Sequence, residues 1–265
     1  MVAAASRVGY NLTAPRAPRF GIARILSKRG LASRTEAARW VREGRIVVDG
    51  QRIIDPEYPT RDNAQIEVDG ENFAAVSRVY LALNKPRGLI TTTSDEKQRA
   101  TIYDCLRDLQ LPWVAAVGRL DQASEGLLLM SNDSIWAAGI TAPESHLLKT
   151  YHVQVDKVPT ADELSMLADG VVVENGQAPW AARSAQLLRS GGKTAWLEIV
   201  LDEGRNRQIR RMLQALDMEV QRLVRVAIGT VQLGRLPKGG VRALTADEVD
   251  ALRPERQSVL ENSPR

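Results

Sequence analysis

The chain has 265 residues, 44% hydrophobic and 26% charged, which excludes collagen-like, low-complexity and small disulfide-framework classes and suggests two modest domains at roughly 150 residues each. Its single cysteine, Cys105, cannot close an intramolecular disulfide, and with only His146 and His152 beside it there is no zinc-ligand spacing; this implies a reducing compartment and no structural metal. Lys plus Arg is 36 against 32 acids, for a net charge of +4, and no apolar run approaches the roughly 18 residues of a membrane span. The excess is unevenly placed. From Met1 to Arg45 there are ten basic residues against two acids, Glu36 and Glu43, and a second basic cluster comprises Arg205, Arg207, Arg210, Arg211, Arg222 and Arg225. Two separated basic patches suit a polyanion such as nucleic acid, although a solvated surface has the same composition.

Residues 1–19 contain Arg, Ala, Ser and Pro but no acid. They are expected to form a disordered basic tail, and a transit peptide would share that composition. Ile22, Ile25 and Leu26 then form one apolar stripe of a helix ended by Gly30, and Ser33 with Glu36 reads as a capping box opening a second helix through Val41, stopped by Gly44. Ile46, Val47 and Val48 precede Asp49-Gly50, a strong hairpin signal, with Ile53, Ile54, Ile66 and Val68 as further strand material. These make a helix-helix-hairpin module over 20–69 whose helices expose Arg24, Lys28, Arg29, Arg34, Arg39 and Arg42. Residues 70–78 read as a linker.

A second domain is expected over 79–253. Its strands are predicted at 79–83, 113–117, 127–130, 151–155, 171–173 and 196–201, with a breaker-rich turn at 84–88. Helices are predicted at 160–168, 206–216 and 245–253, two of them opened by the capping boxes Thr160 with Glu163 and Thr245 with Glu248. Strands with few helices and no regular βαβ rhythm predict an α+β fold, mixed but mainly antiparallel. Residues 254–265 are polar and expected to be disordered.

The segment RILSKRGLASRTEAARWVREGRIVVDGQRI resembles the S4 RNA-binding domain, which implies that Arg24, Lys28, Arg34 and Arg39 meet RNA phosphates. In the second domain, GRLDQASEGLLL at 118–129 places Arg119 and Asp121 between an apolar strand and a buried run. From chemistry alone the two could pair with each other, cap the loop or serve catalysis. The segment resembles the catalytic motif of pseudouridine synthases, and NKPRGLITT at 84–92, KTYHVQV at 149–155 and EGRNRQIRRMLQAL at 203–216 fit the same family in order. Together they resemble the RsuA-like branch, which modifies ribosomal RNA and commonly carries an N-terminal S4 domain.

The resemblance implies a cofactor-independent isomerase that converts a ribosomal uridine to pseudouridine, with Asp121 as nucleophile, Tyr151 packed on the target base and Arg210 paired with Asp121. A carboxylate could add either to ribose or to base, and it must be ionised, which a close guanidinium favours. Arg119 is implied in filling the space left by the flipped uridine; Arg207 and Arg211 are expected at RNA phosphates, and Lys85 and Arg87 at phosphates or in structural contacts rather than in the chemistry, with Lys85 assigned to RNA. Glu125, His152 and Cys105 are read as structural. SEGLLL and YHVQV resemble large-subunit enzymes slightly more than small-subunit ones. The expected setting is a cytoplasmic monomer. The other reading, a non-catalytic RNA clamp or ribosome-assembly factor, is disfavoured by the joint presence of Asp121, Tyr151 and Arg210.

Overall fold

A computed structural model describes residues 19–73, 76–93, 97, 99–173 and 178–253. The expected tails therefore lie outside the described residues apart from Arg19, as do positions 74 and 75 of the expected linker. The described chain divides into two compact units, 19–27 with 34–73 and 28–33 with 76–253.

In the first unit the elements are β1 (Arg19–Gly21), α1 (Ile22–Lys28), α2 (Arg34–Arg42), β2 (Ile46–Val48), β3 (Gln51–Ile53), β4 (Pro59–Arg61), β5 (Ile66–Val68) and β6 (Glu71–Asn72). The hairpin signal is met where β2 and β3 pair antiparallel across Asp49-Gly50, with φ of 49° and 82° at the two turn residues. The four-stranded sheet has the order β3-β2-β5-β6, and β1 pairs with β4. Ile22, Ile25, Leu26, Ala37, Val41, Ile46, Ile53 and Ile66 are all buried. Ile54, read as strand, lies just past β3 and is exposed.

The second unit contains β7 (Tyr80–Lys85), β8 (Ala115–Val117), β9 (Glu125–Ser131), α3 (Ser134–Thr141), β10 (Lys149–Val155), α4 (Ala161–Asp169), β11 (Ser184–Gly191) and β12 (Thr194–Leu201). It continues through α5 (Gln208–Gln214), β13 (Val220–Ile228), β14 (Val231–Gln232), β15 (Val241–Ala243) and α6 (Ala246–Ala251). These strands form one sheet of order β11-β12-β10-β13-β9-β7-β15, with β14 added to β13 and β8 to β9. Every pairing among the described strands is antiparallel except β13 with β9, so the fold is the expected mixed, mainly antiparallel α+β arrangement. The two capping boxes expected in this unit are present at the starts of α4 and α6.

The central strand β9 is buried along its whole length because its two faces feed two cores. Leu127 and Leu129 pack with Trp136, Ile140 and Val249, whereas Leu128 and Met130 pack with Leu81, Leu83 and Ile102. This is why the segment reads as a continuous apolar run rather than an alternating one. By contrast β12 alternates, with Ala195, Leu197, Ile199 and Leu201 facing a third core under α4 and α5. The parallel contact of β9 with β13 depends on Gly126. Its φ is +101°, and a Cβ there would lie 2.3 Å from the Arg225 carbonyl oxygen.

Three differences from the sequence reading matter for the site. Strand β7 runs through Asn84 and Lys85, so the turn starts only at Pro86. Residues 171–173 form no strand but a single bridge, Val171 with Trp180. Segment 220–228, read only as part of a basic cluster, is the nine-residue strand β13, and β11 and α3 were likewise not expected. The start of α3 was legible, since Asp133 accepts hydrogen bonds from the Ile135 and Trp136 amides.

Candidate active site

The connection between β8 and β9, residues 118–124, carries Asp121 and is held by its backbone. All five carbonyls from Leu120 to Ser124 accept a hydrogen bond. Thr91 Oγ1 donates to Leu120 O at 2.7 Å, Lys85 Nζ to Asp121 O at 3.1 Å and to Ser124 O at 2.9 Å. The Gly88 amide donates to Gln122 O at 2.8 Å, and Arg210 Nη2 to Ala123 O at 3.1 Å. The segment 84–92 is thus a backing for the Asp121 loop, tightened further by Gln122 Nε2 donating to Gly88 O at 3.1 Å. Satisfying each backbone acceptor in this way fixes the loop in one conformation.

This geometry corrects the expectation for Lys85. Its side chain is fully buried, and Nζ makes its third bond to Pro86 O at 3.1 Å, so no phosphate can reach it. Burial holds the ammonium down to about 8, against the opposing pull of Asp121 and Glu125. Glu125, read as structural, is 3% exposed and paired with Arg222 at 3.0 Å and Lys238 at 2.8 Å.

Asp121 opens on a cavity of about 410 Å³ whose wall includes Arg119, Tyr151, Arg207, Leu223 and Arg225, a size typical of small-ligand sites. Tyr151 is half-buried, packs against two of the hydrophobic cores and lines the cavity. It therefore joins core and site rather than choosing between them. Arg119 is exposed and also lines the cavity.

The guanidinium nearest Asp121 is that of Arg207, whose Nη1 is 4.0 Å from Oδ2, not that of Arg210. Arg207 reaches this position from a left-handed backbone (φ 52°) immediately before α5. The loop before it is knotted by Gln208, which donates to Glu203 Oε1 at 2.6 Å and accepts from the Arg205 amide at 3.2 Å. The expected direct pair of Arg210 with Asp121 is replaced by two carbonyl contacts, since Arg210 Nη1 also donates to Val220 O at 3.3 Å. Its charge still feels Asp121, which opposes the lowering caused first by burial and then by Arg207. Arg211, with Arg205, lies over the Trp180 ring at 4.8 and 5.2 Å.

On the S4-like unit Arg24 and Arg34 are exposed, and Arg24 covers the Phe20 ring at 4.7 Å. Arg39 is exposed too but pairs with Glu36 and, at 3.9 Å, with Glu43. Lys28 is half-buried at the end of α1.

Among the cavity residues given no role from sequence are Lys149 and Arg225. Lys149 stands inside the quoted KTYHVQV motif, and Arg225 was hidden in the basic cluster. Among the described residues no group of three or more His, Cys, Asp or Glu could hold a metal ion, and no helix is long and apolar enough to cross a membrane.

Comparison with known proteins identifies both units. Residues 79–215 match the RNA pseudouridylate synthase family model and residues 21–66 match the S4 domain model. Ribosomal large subunit pseudouridine synthase B of Bacillus subtilis is 33% identical over 230 residues, covering 87% of this chain and 94% of that protein. An uncharacterized RNA pseudouridine synthase of Mycobacterium tuberculosis is 38% identical over 236 residues, covering 86% and 91%. Among solved structures, a crystal structure of a pseudouridylate synthase superposes with a TM-score of 0.62 at 26% identity, over 88% of this chain and 99% of that one. The chain belongs to the RNA pseudouridylate synthase family, as an enzyme that joins an S4 domain to the catalytic domain of that family.

Proposed function

We propose that the enzyme isomerises a uridine of large-subunit ribosomal RNA to pseudouridine in the cytoplasm, with Asp121 as nucleophile. The observation that carries this reading is the Asp121 loop itself: a carboxylate at a cavity of about 410 Å³, on a backbone whose five consecutive carbonyls are all held from other segments. The large-subunit assignment follows the name of the Bacillus subtilis relative.

The reaction breaks N1–C1′, turns the uracil and joins C5 to C1′, with loss of the C5 proton and gain of a proton at N1. Asp121 stabilises or captures the electron-poor centre, and Tyr151, on the cavity wall, packs on the base and accepts a ribose proton where the route needs one. Arg119, exposed at the cavity, occupies the space vacated by the flipped nucleotide. Arg207 and Arg211 contact phosphates around the opening. Arg24, Lys28, Arg34 and Arg39 bring the S4 face to structured RNA and supply affinity rather than chemistry. Arg210 acts through the loop it supports.

Two measurements test this. Pseudouridine mapping of ribosomal RNA from cells lacking the protein should lose one modification in the large subunit, and an unchanged map would overturn the substrate. Asp121→Asn keeps size but removes charge; tritium release from C5-labelled uridine should vanish while RNA binding survives, and near-normal release would refute the nucleophile.

A further inference from the structure

Arg225 on β13 is 6% exposed and lines the Asp121 cavity. It is the ladder partner of Tyr151 on one side and of Gly126 on the other, so its side chain leaves the sheet beside the tyrosine. Among the described residues its guanidinium makes one hydrogen bond, Nε donating to Leu127 O at 2.7 Å, and Nη2 is buried with no partner at all. No carboxylate of the described residues lies within 4.0 Å of it. Lys149 lines the same cavity and is held below the usual lysine range by burial first and by the Arg225 charge second, with Asp202 opposing. Two cations with little compensation share one pocket wall. A buried guanidinium with an orphaned donor costs stability, and such a cost is characteristic of a site completed by its ligand.

The ligand atom follows from depth and chemistry. Arg119 and Arg207 are exposed, so a phosphate meets them before it meets Arg225. What enters as far as Arg225, beside Tyr151, is the base. When N1–C1′ breaks, the bonding pair stays with uracil and spreads over N1, C5, O2 and O4 until C5 bonds to C1′; the C5 proton then leaves and N1 is protonated. Negative charge thus collects on the two carbonyl oxygens at the moment of cleavage.

We propose that Arg225, assisted by Lys149, donates a hydrogen bond to a carbonyl oxygen of the flipped uracil and stabilises the charge that gathers there as the glycosidic bond breaks. The inference rests on the reading that the target uridine occupies the Asp121 cavity. It makes Arg225 a catalytic residue of the reaction, distinct from the arginines that bind phosphate or hold the loop.

The test uses the full-length protein and short RNAs carrying uridine, 2-thiouridine or 4-thiouridine at the target, since sulfur is a weak hydrogen-bond acceptor. On uridine, Arg225→Met should lower the single-turnover rate at saturating RNA by about 100-fold, the scale of removing one donor to a developing oxyanion, while RNA affinity stays within about twofold. On whichever thio-substituted RNA removes the contacted oxygen, the penalty of the substitution should shrink to less than about tenfold. An equal penalty on all three RNAs, or a loss confined to affinity, overturns the proposal. Thermal unfolding reports whether Arg225→Met folds, and Arg225→Lys and Lys149→Met provide the same comparison if it does not. Absence of coupling in all three variants also overturns it. Asp121→Asn in parallel separates the two claims: full turnover there refutes the cavity reading, whereas a dead Asp121→Asn with uncoupled Arg225 refutes only the role of Arg225.

Discussion

Replacing Lys85 by Met tests whether the segment before Pro86 serves the Asp121 loop or the RNA. The fully buried ammonium donates to Pro86 O, Asp121 O and Ser124 O. Asp121 O keeps a second donor in the Ser124 amide at 3.0 Å, so the substitution orphans two carbonyls, at about 1–3 kcal/mol each. Against this, a lysine lowered from 10.5 to about 8 carries a burial penalty of about 3 kcal/mol at neutral pH, which Met removes. The two effects nearly offset, and net destabilisation should be about 0–3 kcal/mol, a fall in Tm of no more than about 10 °C for a domain of this size. Turnover should drop far more, by about 100-fold, because a displacement of about 1 Å at the nucleophile is enough for that loss. RNA affinity should stay within about twofold. Single-turnover rates, filter-binding constants and thermal melts on one preparation decide the matter. Wild-type turnover with weakened binding would show that Lys85 is a phosphate contact and that the loop needs no such support. The wild type adds a pH signature. Between about 8 and the unfolded value of about 10.5 the unfolded chain holds the extra proton, so Lys85 makes stability rise with pH across that window. The neutral amine has only two donors for three carbonyls, and turnover should therefore fall with a midpoint near 8, a limb that Lys85→Met should lack.

The two arginines near Asp121 should separate in the same assay. Arg207→Gln removes an exposed contact at 4.0 Å and should cost less than about fivefold in turnover, whereas Arg210→Leu strips donors from Ala123 O and Val220 O and should cost about 100-fold; the reverse order would restore the direct pair of Arg210 with Asp121. On the S4 unit, Arg34→Gln should reduce the salt dependence of binding by roughly 0.7–0.9 in the log-log slope. Arg39→Gln should reduce it less, because Glu36 and Glu43 already neutralise that side chain, and equal slopes would mean that both arginines reach phosphate.

Sequence alone determined the features whose energy is local. The Asp49-Gly50 turn and the two Thr-Glu capping boxes involve atoms within a few residues of each other, so their chemistry is complete in the string. Asp121 and Tyr151 were likewise legible through their motifs, and they do line one cavity. Tertiary structure alone decided which of several identical cations does what. Lys85 and Arg87 are two residues apart in a basic turn, yet β7 carries the first into the core and leaves the second exposed. Arg222 and Arg225 looked like neighbours in one patch; three positions apart on β13, they leave opposite faces, one toward Glu125 and one into the cavity. The identity of the arginine beside Asp121 turned on a left-handed residue at position 207 and on the carbonyls of Val220, past the end of α5, and of Ala123, 87 residues away from Arg210. A guanidinium has the same charge wherever it stands in a sequence, and only the fold determines which acceptors come within reach and how much water is left around it.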